Sequence, residues 1–245
     1  MSVIFTAHLD SNLTEFTGED DGASQLAWSE DATAKAVCTT AGAMKLVIAS
    51  NTLAQCYKSG LANTSHKVRA RFYIDPNALT MATNNSFYLL DLIYGAGTIF
   101  AQVVLRWDGS NFVTRLYAIN DEAGEVNTTS TTLSDAPHYI EIYVTREVSN
   151  GSNDGTASIW VDGGSQKDLT GIGNYARFTQ LDIVQLGATG GIDTGTRGTF
   201  YLDELIVNDD GGAIGAYSSS SSSSSTTSSS TSSSSTSSSS STISS

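Results

Sequence analysis

Trp107, Asp108 and Asn111 form the best small binding cluster in this sequence: a ring, an acceptor and an amide at one predicted hairpin tip. Stacking on the indole with hydrogen bonds from the other two would suit a sugar. The competing expectation is that Trp107 only covers the edge of a core. Candidates for covalent chemistry are sparse. No G-x-S-x-G elbow occurs, and His8, His66 and His138 fall in three separate strand-like positions, which gives no nucleophilic triad. Zinc would need clustered histidines and cysteines, and there are none. Calcium is the one cofactor the residues allow, through hard oxygens at Asp20, Asp21, Asp209 and Asp210; solvated acidic turns are the alternative. Cys38 and Cys56 each lie in a strand-like segment, so they form either a disulfide or two small buried hydrophobes, and spacing leaves both open. Asp203 and Glu204 are adjacent on a predicted strand and so point to opposite faces.

Composition narrows the partners. The last 28 of 245 residues, Ser218 to Ser245, are serine and threonine except for Ile243. The preceding residues 1–217 are enough for one sandwich with its own core. A formal charge of −13 repels phosphate backbones and anionic lipid, so neither nucleic acid nor membrane is an expected partner. Copies of the chain itself and neutral glycans remain. No apolar run approaches a membrane span. The start, MSVIFTAHLD, alternates as a strand and lacks the basic and apolar regions of a signal peptide. Five N-x-S/T triplets, at Asn12, Asn63, Asn84, Asn127 and Asn150, carry little weight without such a signal.

The elements that would position these residues read almost entirely as strands. The organising stretch is Pro137 to Gly164. In it Ile140, Ile142 and Val144, then Ala157, Ile159 and Val161, alternate with polar and aromatic residues across an Asn/Gly/Ser/Asp loop. Val68, Ala70, Phe72 and Ile74 alternate in the same way until Asp75-Pro76-Asn77 stops the strand. Phe87 to Tyr94 is apolar on both faces apart from Asp91, as a central strand should be. Ile99–Trp107 and Phe112–Ile119 flank the turn Asp108-Gly109-Ser110-Asn111. Lys35–Thr40 and Met44–Ala49 read as another strand pair, Ser11–Ser24 as a loop, and Leu181–Leu186 and Thr199–Asn208 as closing strands. About eleven or twelve short strands at regular spacing predict an all-β, antiparallel sandwich over residues 1–217, followed by a low-complexity Ser/Thr tail.

The order Val68–Ile74, the Trp107–Phe112 hairpin, PHYIEIYV, IWVDG and GTFYLDELIV resembles the concanavalin A-like lectin/glucanase jelly roll, in particular its laminin-G-like branch. Pro137 stands where that branch usually has an aromatic. The resemblance implies side-by-side terminal strands, Val3–Leu9 near Thr199–Val207. It also implies either glycan binding or hydrolysis. The glucanase branch places E-x-D-x-x-E on one strand, and no such strand is present: Glu141 and Glu147 have another spacing and no middle aspartate. The chain is therefore expected not to be an enzyme. The expected role is a structural or adhesive subunit of a repeated extracellular assembly, such as a virion fibre or decoration protein or a microbial surface filament. Copies would associate through the tail, where Thr226, Thr231 and Thr236 recur every five residues. The alternative is a carbohydrate-binding module on a flexible linker.

Overall fold

The computed structural model describes residues 2–9 and 11–217. The tail Ser218–Ser245, with its proposed assembly role, lies outside them. Along the chain run β1 (Val3–Ala7), β2 (Gly18–Asp21), β3 (Leu26–Ser29), α1 (Ala32–Cys38), β4 (Ala43–Ile48) and β5 (Ala54–Lys58). Then come β6 (Lys67–Asp75), β7 (Ser86–Tyr94), β8 (Thr98–Trp107), β9 (Phe112–Ile119), β10 (Glu125–Asn127) and β11 (Thr131–Leu133). The chain ends with β12 (His138–Thr145), β13 (Gly155–Val161), β14 (Lys167–Ile172), β15 (Ile183–Gly190) and β16 (Gly198–Asn208). They form two antiparallel sheets stacked as a sandwich. The first has the order β14-β13-β12-β6-β16-β4-β3, with β1 also on β16; the second has β10-β9-β8-β7-β15-β5-β2, with β11 also on β9.

The alternating segments fold as their patterns require. Ile142 pairs with Ile159 and Val144 with Ala157 across β12 and β13, while Ile140 pairs with Phe72 of β6. Val68, Ala70, Phe72, Ile140, Ile142 and Val144 are fully buried between the sheets. Each large side chain so removed from water contributes about 1.5–3 kcal/mol before entropy is counted. Because side chains alternate along a strand, Arg69, Arg71, Glu141 and Tyr143 go to the outer face. The terminal strands pair, with Val3 opposite Asn208 and Ala7 opposite Leu205. β7 occupies the middle of the second sheet.

Two local expectations are corrected and one open alternative is settled. Lys35–Thr40 is not a strand, because most of it belongs to α1. Asp31 caps this helix by accepting from the Ala34 amide at 2.9 Å, Ala32, Ala34 and Ala36 favour it, and Thr39 in the left-handed region (φ 60°) ends it. α1 packs through Ala34 and Val37 on Tyr201 and Tyr73, on the outer side of the first sheet. The loop predicted over Ser11–Ser24 contains β2, which pairs with β5 at the edge of the second sheet. The disulfide does not form: Cys38 ends α1 over the first sheet, Cys56 lies in β5 of the second, and both are buried free thiols. Burial pushes both up to about 12, so each is a small hydrophobe rather than a nucleophile.

Candidate functional site

The antiparallel register aligns one row of polar and aromatic residues across the second sheet. Tyr57 of β5 lies opposite Gln185 of β15, Gln185 opposite Asp91 of β7, Asp91 opposite Gln102 of β8, and Gln102 opposite Tyr117 of β9. Their chain neighbours Cys56, Leu186, Leu90, Val103 and Leu116 point into the core, so the row faces away from it. At the usual strand spacing, five strands carry this row over roughly 19 Å, long enough for several sugar rings in line.

The floor of the row is an amide and an acid. Gln102 Nε2 donates to Asp91 Oδ1 at 2.9 Å, and these residues are only 4 % and 2 % exposed. Burial pushes the Asp91 carboxyl up to about 6, with the Gln102 amide offsetting part of the effect. Half-buried Tyr57, Gln185 and Tyr117 stand around this pair. Tyr88, two strand positions before Leu90, is close enough for Asp91, Tyr117 and Glu125 to act on it. Its phenol is held up chiefly by burial, and next by the Glu125 carboxylate. In the adjoining row Gln55 is buried, and its Oε1 meets no donor among the described residues. Two glycines shape this half of the face. A Cβ at Gly18 would strike the Tyr57 hydroxyl at 2.6 Å, and one at Gly187 (φ +138°) would strike the Ala54 carbonyl at 2.4 Å. The arrangement offers donors and acceptors of both kinds between phenol rings, which fits a hydroxyl-rich chain.

The residues singled out from sequence are placed as follows. Trp107 and Asn111 line one cleft of about 390 Å³ at the end of the sandwich, together with Met81, Phe112 and Leu133. Trp107 packs edge-on to Phe112, 4.9 Å between centroids. Asp108 is spent on its own turn, accepting from the Ser110 and Asn111 amides at 2.8 Å. The calcium candidates are dispersed. Asp20 and Asp21 are consecutive strand residues with opposite faces, and Asp21 accepts from the Gln25 and Leu26 amides at 2.7 and 2.9 Å. Asp209 accepts from Asn63 Nδ2 at 2.9 Å, and Asp210 from the Gly212 amide at 2.9 Å. Among the described residues no three such side chains converge as metal ligands.

Nothing local in the sequence marks the row from Tyr57 to Tyr117 as a unit. Its one visible trace is a lone acid within FYLLDLIY and a lone amide within IFAQVVL.

No protein-family model matches the sequence, and no curated protein matches it. Solved structures with the same fold include the endo-β-1,4-glucuronan lyase of the fungus Trichoderma reesei. That match has 13 % identity and a TM-score of 0.54, over 83 % of this chain and 94 % of that one. The alginate lyase vAL-1 from Chlorella virus matches at 14 % identity with a TM-score of 0.50, covering 79 % of this chain and 99 % of that one. A structure of botulinum neurotoxin type C, titled for its interaction with two ganglioside molecules, matches at 8 % identity with a TM-score of 0.56, over 86 % of this chain and 49 % of that one. At such identities the likeness is one of fold: a β-sandwich jelly roll shared by lyases and binding domains. It corrects the expectation that the chain is not an enzyme. That expectation rested on missing hydrolase carboxylates, whereas a lyase breaks its bond by elimination and needs no facing pair of acids.

Proposed function

We propose that this protein binds a polysaccharide along the outer face of the second sheet, with the row Tyr57, Gln185, Asp91, Gln102 and Tyr117 as the contact line. The observation that carries this reading is the hydrogen-bonded Gln102–Asp91 pair set in the middle of five strands between phenol rings. A polar pair at that depth in a sheet face costs solvation, and a bound hydroxyl or carboxylate group would repay it. Fold neighbours named for acting on glucuronan and alginate or for meeting gangliosides add support. The test is calorimetric titration of the full chain with alginate, glucuronan and neutral glucans. Gln102→Ala and Tyr117→Ala should each weaken binding about tenfold, the worth of one good contact. Unchanged affinity in both variants removes the reading.

A second reading, cleavage of a uronate polymer by elimination, is favoured by the Asp91 carboxyl at about 6 beside Tyr88 and Tyr117. In it, neutral Asp91 and the Gln102 amide hydrogen-bond the uronate carboxylate and acidify the carbon next to it. Tyr117, having given its own proton to solvent, acts as the phenolate base that takes the proton from that carbon; a carbon–carbon double bond forms as the bond to the leaving sugar oxygen breaks. Tyr88, held protonated, supplies the proton to that oxygen. Ultraviolet absorbance of the unsaturated uronate product, growing with alginate or glucuronan and lost in Gln102→Ala, is the expected result. No absorbance with either polymer leaves binding alone.

Attachment to glycans would also suit an adhesive subunit of an extracellular or virion-surface assembly, a finer proposal resting on self-association through Ser218–Ser245. Its check is sedimentation of the full chain against a chain ending at Tyr217. The longer chain should sediment as an assembly and the shorter as a monomer.

A further inference from the structure

The outer face of the first sheet, opposite the row above, holds a second groove of about 410 Å³ over β12, β13 and β14. Its floor is the guanidinium of Arg69, which lies 4.5 Å from the ring centre of Trp160 and 5.4 Å from that of Tyr143. The guanidinium is fixed in plane from two sides. Nε donates to Glu141 Oε1, and Nη1 donates to the Gly211 carbonyl at 2.6 Å. Glu141 is itself held by the amides of Ile214 and Gly215, at 3.1 and 2.8 Å, so the chain after β16 buttresses the site. The opposite wall is polar. Ser158 Oγ donates to Asp168 Oδ1 at 2.6 Å, and Gln166 Nε2 reaches Ser158 Oγ at 3.2 Å and the same Asp168 oxygen. Asp168 Oδ2 takes no part in these bonds, and both Gln166 and Asp168 are exposed.

We propose that this groove is a second saccharide site, independent of the second-sheet row, and that its ligand is a neutral sugar. A sugar ring has apolar C–H faces and hydroxyl edges. The groove matches it with two aromatic side chains on one side and a prearranged hydroxyl, amide and carboxylate on the other. Charge selects neutrality. Glu141 cancels Arg69 and Asp168 leaves one negative charge in the groove, so an acidic sugar is repelled here where a neutral one is not. The ordering of the polar groups before binding lowers the entropy cost of capture.

The test maps where sugars land. The ¹⁵N-labelled full chain is titrated with oligosaccharides of glucose, mannose and galactose, and amide and indole shifts are followed. At least one of these probes should shift the Trp160 indole with the Ser158 and Gln166 amides. Asp168→Ala and Gln166→Ala, both at exposed positions, should each weaken that binding about tenfold. Tyr117→Ala should leave it unchanged. Shifts confined to residues around Tyr57, Gln102 and Tyr117, or no shift near Trp160 with any of the three sugar types, overturn this proposal. Neither of those results bears against polysaccharide binding on the second sheet.

Discussion

Asp91 is the residue at which stability and binding meet. Its carboxyl is neutral in the folded protein up to about pH 6, whereas in the unfolded chain it ionises near 3.9. A raised pKa means the folded state favours the proton. The associated stability is full below about pH 4 and is lost as pH rises through about 6, a loss of roughly 3 kcal/mol. Asp91→Asn keeps an oxygen for the Gln102 amide and cannot ionise. It should therefore melt higher than the parent at pH 8, with the gap closing near pH 4. An equal gap at both values would show that the carboxyl is not buried neutral. The acid itself stands out in the sequence, a single charge within FYLLDLIY. Its partner could not be read there, because Gln102 meets Asp91 only through a register with bulges on either side, at Tyr88/Leu90 and Leu92/Ile93.

Among the elements, α1 shows how local chemistry overrides an alternating pattern. AKAVC can be read as a strand, and Asp31 decides against it by satisfying the Ala34 amide while also accepting from Lys45 Nζ and Tyr201 Oη, both at 3.0 Å. Asp31→Ala should cost about 1–2 kcal/mol in chemical denaturation, the usual worth of a cap. Asp31→Asn, which still accepts from the amide, should recover most of that loss. The strands behave differently, since their stability is shared across the sandwich. Ile142 is fully buried between β13 and β6, and Ile142→Ala should cost about 2–5 kcal/mol.

For the whole molecule, the segment after β16 closes the first sheet. Bonds that tie it down include Arg69 to the Gly211 carbonyl, Asn208 Nδ2 to the Gly212 carbonyl, the Ile214 and Gly215 amides to Glu141, and the Tyr217 amide to Tyr73 Oη at 2.7 Å. Glu141 is buried, so losing these donors leaves a charge under-solvated. A chain ending at Asp210 should unfold about 2–4 kcal/mol more readily than one ending at Tyr217. Equal denaturation midpoints for the two would show that the segment does not hold the sheet. The same truncation withdraws Gly211 from the Arg69 guanidinium, which ties the second saccharide site to this closure.

Period-two alternation, turn residues and the near absence of helix-length amphipathic runs determined an all-β sandwich from the chain itself, because those patterns are local and each strand carries its own; the jelly-roll topology came from resemblance. The pairing of β1 with β16 came from resemblance and agrees with the register. The outward row on the second sheet belonged to the tertiary structure alone. Tyr57, Asp91, Gln102, Tyr117 and Gln185 are spread over 129 positions of sequence. They share one face only because five strands adopt a particular order and register, which no local pattern encodes. For the same reason the missing hydrolase motif could speak against one chemistry and not against every reaction the fold can host.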